Sequence, residues 1–213
     1  QEMSRSEFYN TIRPMFGGKL SQTQVEVTTA VLDRTAGLPR SHVPYILTTA
    51  FGEAKMTPQR ENMNYTAARI KKVWPSRPEA VKFAGDPRGL ANCVYGGRLG
   101  NRRGTDDGWV YRGGGIDQTT GLINYEKIGI AAAPDKILSP AVAVDSIVRG
   151  MTTGRYTGKK LSDYDKPAGF DFTAARAIIN GDIKLNGEKY ADYAKAFEAA
   201  LDDAEDAPTF TAD

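Results

Sequence analysis

Apolar positions recur along most of this chain with a period near 3.6. They predict a mainly α protein whose helices are joined by turns marked with glycine and proline. Ser21 followed three places later by Gln24 has the form of a capping box, and it opens an amphipathic run ending near Gly37. Ser41 is placed to cap the next helix, with Pro44 tolerated in its first turn. Val43, Ile46, Leu47, Ala50 and Ala54 then share one face, and Glu53 falls near that helix's end. Further helices are expected after Tyr65, stopping at Trp74, and over residues 90–95, 139–151 and 172–180. Near the C-terminus Tyr190, Ala194, Phe197 and Leu201 share a face. The strand signal is thin. Residues 109–112, bounded by Gly108 and Gly113, are the best candidate.

No repeat or long linker interrupts this pattern, so residues 1–201 read as a single catalytic domain. Residues 74–115, rich in Gly, Pro and Arg, are expected to form a smaller lobe or a cleft wall, and the acidic residues 202–213 a frayed tail.

Composition narrows the chemistry more than the fold. One cysteine, Cys93, cannot form an intramolecular disulfide or a multi-cysteine zinc site. One histidine, His42, excludes the HExxH zinc motif and is expected to be structural. A Ser-His-Asp triad would have to use that same residue. No apolar run approaches the roughly 20 residues of a membrane span, and the first residues lack a basic and then apolar leader signature. The net charge of +2 helps approach to anionic polymers without choosing among them. Arg98, Arg102 and Arg103 cluster, but within no nucleic-acid reading motif.

Two carboxylates stand out. Glu53 and Glu61 flank a helix break at Pro58. On one straight helix, eight positions at ~1.5 Å would separate them by about 12 Å. Inverting glycosidases hold their carboxyls ~6.5–9.5 Å apart, so a turn near residues 57–58 would be needed to fold Glu61 back. On spacing alone the pair reads more readily as a surface glutamate and an ion-paired one, with Arg60 in reach. A second cluster runs from Gly108 to Tyr125. Its triple glycine allows close approach, Gln118, Thr119, Thr120 and Asn124 offer neutral hydrogen bonds, and Trp109, Tyr111 and Tyr125 offer flat faces. Sugars present hydroxyl edges and C–H faces to match such a mixture. The phosphate-loop pattern is absent.

These stretches resemble glycoside hydrolase family 19. Arg60-Glu-Asn-Met-Asn-Tyr65 and Leu90-Ala-Asn-Cys-Val-Tyr-Gly-Gly-Arg-Leu-Gly-Asn101 are similar to it, as are Asp107-Gly-Trp-Val-Tyr-Arg-Gly-Gly-Gly115 and Gln118-Thr-Thr-Gly-Leu-Ile-Asn-Tyr125. Residues 16–25, 158–164 and 175–181 resemble the chitinase-like endolysins of bacteriophages within that family. The likeness runs over about residues 8–201.

The resemblance implies a lysozyme-like helical fold with two lobes, a cleft, and a small β-hairpin or irregular lobe beside it. It implies hydrolysis of β-1,4-linked amino sugars without metal or cofactor. Glu53 matches the general acid and Glu61 the residue that activates water. For the acid role an apolar wall is expected, with Phe51 and Met56 nearby. Tyr111, Arg112, Gln118, Thr120, Asn124 and Asn180 match positions lining the sugar cleft, Arg112 being either substrate-facing or paired with a catalytic carboxylate. The chain departs from the family at Gly52, where His is common, in a loop after Glu53 one residue shorter than usual, at Gly114 in place of Arg, and at Asp117 in place of an apolar residue. Asp106, Asp107 or Asp117 is an alternative second acid.

The expected function is endolysin-type N-acetylmuramidase action on peptidoglycan. A chitinase, a lytic transglycosylase and a non-catalytic glycan-binding protein are the competitors. The expected partner is a peptidoglycan or chitin-like glycan, met by a monomer, with neither nucleic acid nor stable membrane insertion. A phage endolysin would build up in the host cytoplasm and then reach the periplasm or wall, and the lack of paired cysteines suits that reducing compartment.

Overall fold

A computed structural model describes residues 3–207. The helices are α1 (Arg5–Ile12), α2 (Gln22–Arg34), α3 (Val43–Ala54), α4 (Ala67–Val73), α5 (Pro87–Tyr95), α6 (Asp107–Val110), α7 (Leu122–Lys127), α8 (Pro140–Thr153) and α9 (Ile183–Asp206). Short 3-10 turns link many of them. Two antiparallel pairs of two-residue strands complete the described fold: β1 (Gln59–Arg60) with β2 (Gly114–Gly115), and β3 (Asp165–Lys166) with β4 (Gly169–Phe170). The mainly helical reading therefore holds.

The chain divides into two compact units. Among the described residues the first joins residues 3–57 to residues 144–207, and the second is residues 58–143, wider than the 74–115 segment expected from composition.

In the first unit α3 is the central element. Ten of its residues, from Val43 to Ala54, are buried, and it packs along α9, which also covers α1. Burial of each large side chain such as Ile46 or Leu47 is worth about 1.5–3 kcal/mol. At Gly52 the Tyr190 ring of α9 lies directly against the α3 backbone, in space that a Cβ would fill. The capping box of α2 forms as expected, with Ser21 Oγ accepting from the Gln24 amide and Gln24 Oε1 from the Ser21 amide.

Three expectations need correction in this unit. Ser41 does not cap α3. It lies inside a 3-10 turn (Arg40–His42), and Pro44 is in the first turn of α3 as expected. Residues 172–180 contain a 3-10 turn, Ala174–Ile178, in place of an α-helix. The acidic end is not frayed at residues 202–206: α9 continues to Asp206, Ala204 is buried, and the Ala204 carbonyl accepts from the Ser4 amide. The remainder of the expected tail, residues 208–213, lies outside the described residues, as do the first two residues of the chain. His42 is buried, with Nε2 at 2.9 and 3.1 Å from the two Asp165 carboxylate oxygens.

In the second unit, Met63, Ile70, Ala80, Leu90, Ala91 and Val94 form one core, with Tyr65, Trp74 and Trp109 packed on it. Tyr125, Ile130 and Ile137 form another. Residues 109–112 are not a strand. The Asp106 carbonyl accepts from the amides of Trp109 and Val110, and Asn92 Oδ1 also accepts from the Trp109 amide. Gly108 lies directly on α5, where an added Cβ would stand 2.6 Å from the Ala91 carbonyl oxygen. Close helix packing is thus what the flanking glycine provides, and the extended segment falls two residues later, at β2.

Candidate functional site

Glu53 occupies the last turn of α3. That helix ends in two consecutive non-glycine residues in the left-handed region, Lys55 at φ 50° and Met56 at φ 57°. Such residues cost roughly 1–2 kcal/mol each, so the surroundings must hold them. The Met56 amide donates to the Ala50 carbonyl at 3.1 Å and the Lys55 amide to that of Phe51 at 2.8 Å, so two of the last carbonyls of the helix are satisfied by the residues that leave it. Gln24 Nε2 donates to the Lys55 carbonyl, Met56 is fully buried, and Lys55 Nζ lies 3.9 Å from the Phe51 ring centre.

The Glu53 carboxylate meets charge where an apolar wall was expected. Arg176 Nη1 and the Tyr190 hydroxyl both donate to Oε1, the latter at 2.9 Å. Arg176, only 5% exposed in its side chain, also donates from Nε to Asp182 at 2.7 Å and lies over the Tyr190 ring. Burial works most strongly against the Arg176 charge, yet hydrogen bonds to Asp182 and Glu53 hold its pKa above the ordinary arginine value. Tyr190 is also raised, by burial first and then by the Glu53 charge. Among the described residues Oε2 of Glu53 accepts no hydrogen bond, and the side chain keeps 21% exposure. Phe51 turns instead toward Phe16, Tyr193 and Phe197.

Glu61 belongs to the second unit and follows β1. Its amide donates to the Gly113 carbonyl at 2.7 Å, and the Gly113 amide returns a bond to Oε2 at 3.2 Å. The Tyr95 hydroxyl donates to Oε1 at 2.8 Å. Burial, then the Glu61 charge, raises the Tyr95 pKa. Gly113 must be glycine for this approach, since an added Cβ would lie 2.8 Å from Gln118 Oε1 and 3.1 Å from Glu61 Cβ. Gln118 and Glu61 therefore come together around Gly113. Arg60 is not the partner of Glu61. It pairs with Asp135 at 2.6 Å and reaches the Val110 and Arg112 carbonyls.

Gln118, Thr120 and Asn124 are linked by hydrogen bonds, whereas Tyr111, Arg112 and Asn180 have other partners. Gln118, at φ 52°, donates from Nε2 to the carbonyls of Gln59 and Gly115, so it ties β1 to β2. Thr120 donates to the Gln118 carbonyl and Asn124 to that of Thr120. The Tyr111 hydroxyl donates to the Ala131 carbonyl at 2.8 Å, with its ring against Tyr125. Arg112 lies over Trp109 at 3.6 Å and pairs with neither glutamate. Asn180 stands in the first unit, exposed, with its amide donating to the Arg176 carbonyl.

The three alternative acids are engaged elsewhere. Asp106 holds Arg88 and Asn92. The Arg102 guanidinium beside Asp107 brings that carboxyl down to about 2. Asp117, buried, accepts from the Thr119 hydroxyl at 2.8 Å. Among the described residues no group of three His, Cys, Asp or Glu side chains could hold a metal ion, and no helix is long and apolar enough to cross a membrane.

Sequence reasoning missed Arg176, Asp182, Tyr190 and Tyr95. A signal existed for Arg176: it interrupts the apolar run Ala174-Ala-Arg-Ala-Ile-Ile179, where a buried charge needs a partner. Tyr190 sat on a helical face and read as core.

No protein-family model matches the chain. A stretch of 71 residues, 31% of the chain, is 39% identical to a Haemophilus influenzae protein described as a glycosyl hydrolase family 19 domain-containing protein. The match spans about a third of that relative's length, 36%.

Proposed function

We propose that the protein is a glycoside hydrolase that cleaves β-1,4 bonds between N-acetylmuramic acid and N-acetylglucosamine in peptidoglycan. The observation that carries this reading is the treatment of the two carboxylates. Each is oriented by donors from its own unit, Glu53 by Arg176 and Tyr190, Glu61 by Tyr95 and the Gly113 amide. Positioned carboxyls are what two-carboxylate glycoside hydrolysis requires. The partial likeness to a family 19 protein supports the same reaction class.

In this reading Glu61 takes a proton from the attacking water, and the hydroxide equivalent adds to the anomeric carbon as the glycosidic bond breaks. Glu53 enters the step with its proton on Oε2 and delivers it to the leaving oxygen, while Arg176 and Tyr190 keep hold of Oε1. The product is a reducing sugar of inverted configuration. Gln118, Thr120, Asn124, Tyr111, Arg112 and Asn180 are the proposed glycan contacts. The proposal takes residues 1–201 as one catalytic domain that acts as a monomer on the cell wall, in the manner of an endolysin, without a cofactor.

The test is digestion of purified peptidoglycan and of chitin oligomers, with fragments read by mass spectrometry. The reading expects muropeptides ending in reducing N-acetylmuramic acid. Glu53→Gln and Glu61→Gln should each lower the rate by about 10²–10⁴-fold, with an unchanged melting curve for Glu61→Gln and a lowered but still cooperative one for Glu53→Gln, which leaves Arg176 with Asp182 alone. Cleavage of chitin alone would make the protein a chitinase, and wall binding without fragments would make it a lectin-like protein.

A further inference from the structure

Eight arginines belong to the second unit, and four of them reach a carboxylate. Arg60 pairs with Asp135 at 2.6 Å, Arg77 with Glu79 at 2.6 Å, Arg88 with Asp106 at 2.8 Å and Arg102 with Asp107 at 2.9 Å. Arg69, Arg98, Arg103 and Arg112 have no carboxylate partner among the described residues, and of these four only Arg112 is not exposed. Its guanidinium lies 3.6 Å from the Trp109 ring centre, and Nη1 donates to the Trp109 carbonyl at 3.0 Å. Its Nε is buried and makes no hydrogen bond.

We propose that Arg112 is a specificity residue that recognises a carboxylate carried by the glycan, and that it selects acidic muramyl polymers over neutral chitin. The inference rests on the glycan-cleaving reading above. Three observations argue for it together. First, the position is next to the proposed chemistry: the residue after Arg112 is Gly113, whose amide holds Glu61. Second, the guanidinium is pre-organised. Stacked on Trp109 and tethered through Nη1, it loses little further freedom when it captures a planar anion, which a carboxylate is.

Third, the local charge is unbalanced. Burial and then the nearby Arg60 guanidinium lower the Arg112 pKa, and Asp135, Tyr125 and Glu61 offset this only in part. Asp135 is already taken by Arg60 and is 82% exposed. The unit as a whole, residues 58–143, carries 13 Lys and Arg against 8 Asp and Glu, although the full chain has 28 against 26. An incoming carboxylate would supply the missing counter-charge at the half-buried one of the four arginines without a carboxylate. A purely structural stack on Trp109 would need no such anion, and a methylene stem would serve that role equally.

Two parts of a muramyl polymer offer the carboxylate: the lactyl group, where the stem peptide has been removed, and the stem peptide itself. Chitin offers neither.

The experiment is calorimetric titration of the uncleaving Glu53→Gln protein, with Arg112 intact or replaced, using three probes. These are a chitin hexamer, a peptide-free muramyl glycan and a peptide-bearing muramyl glycan. Arg112→Gln is expected to weaken binding of at least one acidic probe about ten-fold more than binding of the hexamer, as loss of a charge-assisted bond would. The probe that suffers identifies the carboxylate. Arg112→Lys keeps the charge and stem against Trp109 but not the planar fork. It should fall between the two, and it serves as the variant if the glutamine protein does not fold. Added salt should reduce the Arg112-dependent difference. Equal losses on acidic and neutral probes, or no loss on either, would overturn the inference. Binding that depends on Arg112, in a protein whose Glu53-intact form cleaves nothing, would keep the inference and remove the hydrolase reading. Cleavage of all three polymers that is indifferent to Arg112 would do the reverse.

Discussion

The two glutamates are held by opposite means. Glu53 is fixed by charge, through a buried arginine that it shares with Asp182. Glu61 is fixed by neutral donors, a tyrosine hydroxyl and a backbone amide made reachable by Gly113. Removing one partner of a buried ion pair strands the other charge and costs far more than the pair contributes. Removing a neutral donor costs little more than one hydrogen bond. The region around Glu53 therefore couples its site to folding, and the region around Glu61 separates the two.

The largest expected effect follows at Arg176. Arg176→Met leaves Glu53 and Asp182 without their common partner, and should destabilise the protein by about 3–5 kcal/mol, read as a fall in the denaturation midpoint. Gly52→Ala comes next. Its methyl group would meet the Tyr190 ring, and overpacking of this kind costs about 1–3 kcal/mol while displacing a donor to Glu53. Both stability and activity should drop. Tyr95→Phe is the counterpart on the other side. It should lose about 1 kcal/mol in urea denaturation, with a greater loss in kcat than in KM. If Tyr95→Phe unfolds the protein as readily as Arg176→Met, the contrast is wrong.

The smallest effect is in pH dependence. Asp107 has a folded pKa of about 2, below its ordinary 3.8, because Arg102 hydrogen-bonds to it. Its contribution to stability is therefore full above about pH 3.8 and is lost as pH falls from there through about 2. Arg102 is 71% exposed in its side chain, so the effect should be modest and weakened by salt. Asp107→Asn should flatten the melting temperature over that window and leave it unchanged in slope above it.

The same contrast explains how much could be read from the chain. The helix faces were legible because burial follows a local period, as at Val43, Ile46, Leu47 and Ala50 in α3 and Tyr190, Ala194, Phe197 and Leu201 in α9. Glu53 and Glu61 were legible as candidates from motif context. Their partners were not equally so. Arg176 and Tyr190 lie 123 and 137 positions from Glu53, and no local pattern encodes which distant side chain will meet a carboxylate. The apolar wall expected at Phe51 and Met56 failed for that reason. The strand expected at residues 109–112 failed for another. Bounding glycines signal a close approach without saying of what, and Gly108 proved to face a helix, not a sheet partner.

The central claim is that Glu53 and Glu61 together add water across a glycosidic bond. Its most direct test is digestion of purified peptidoglycan in ¹⁸O-labelled water, with the products weighed by mass spectrometry. The account predicts one heavy oxygen at each new reducing N-acetylmuramic acid, and none released by the Glu61→Gln protein. Anhydro-sugar ends without label, or labelled ends formed at an undiminished rate by Glu61→Gln, would contradict it.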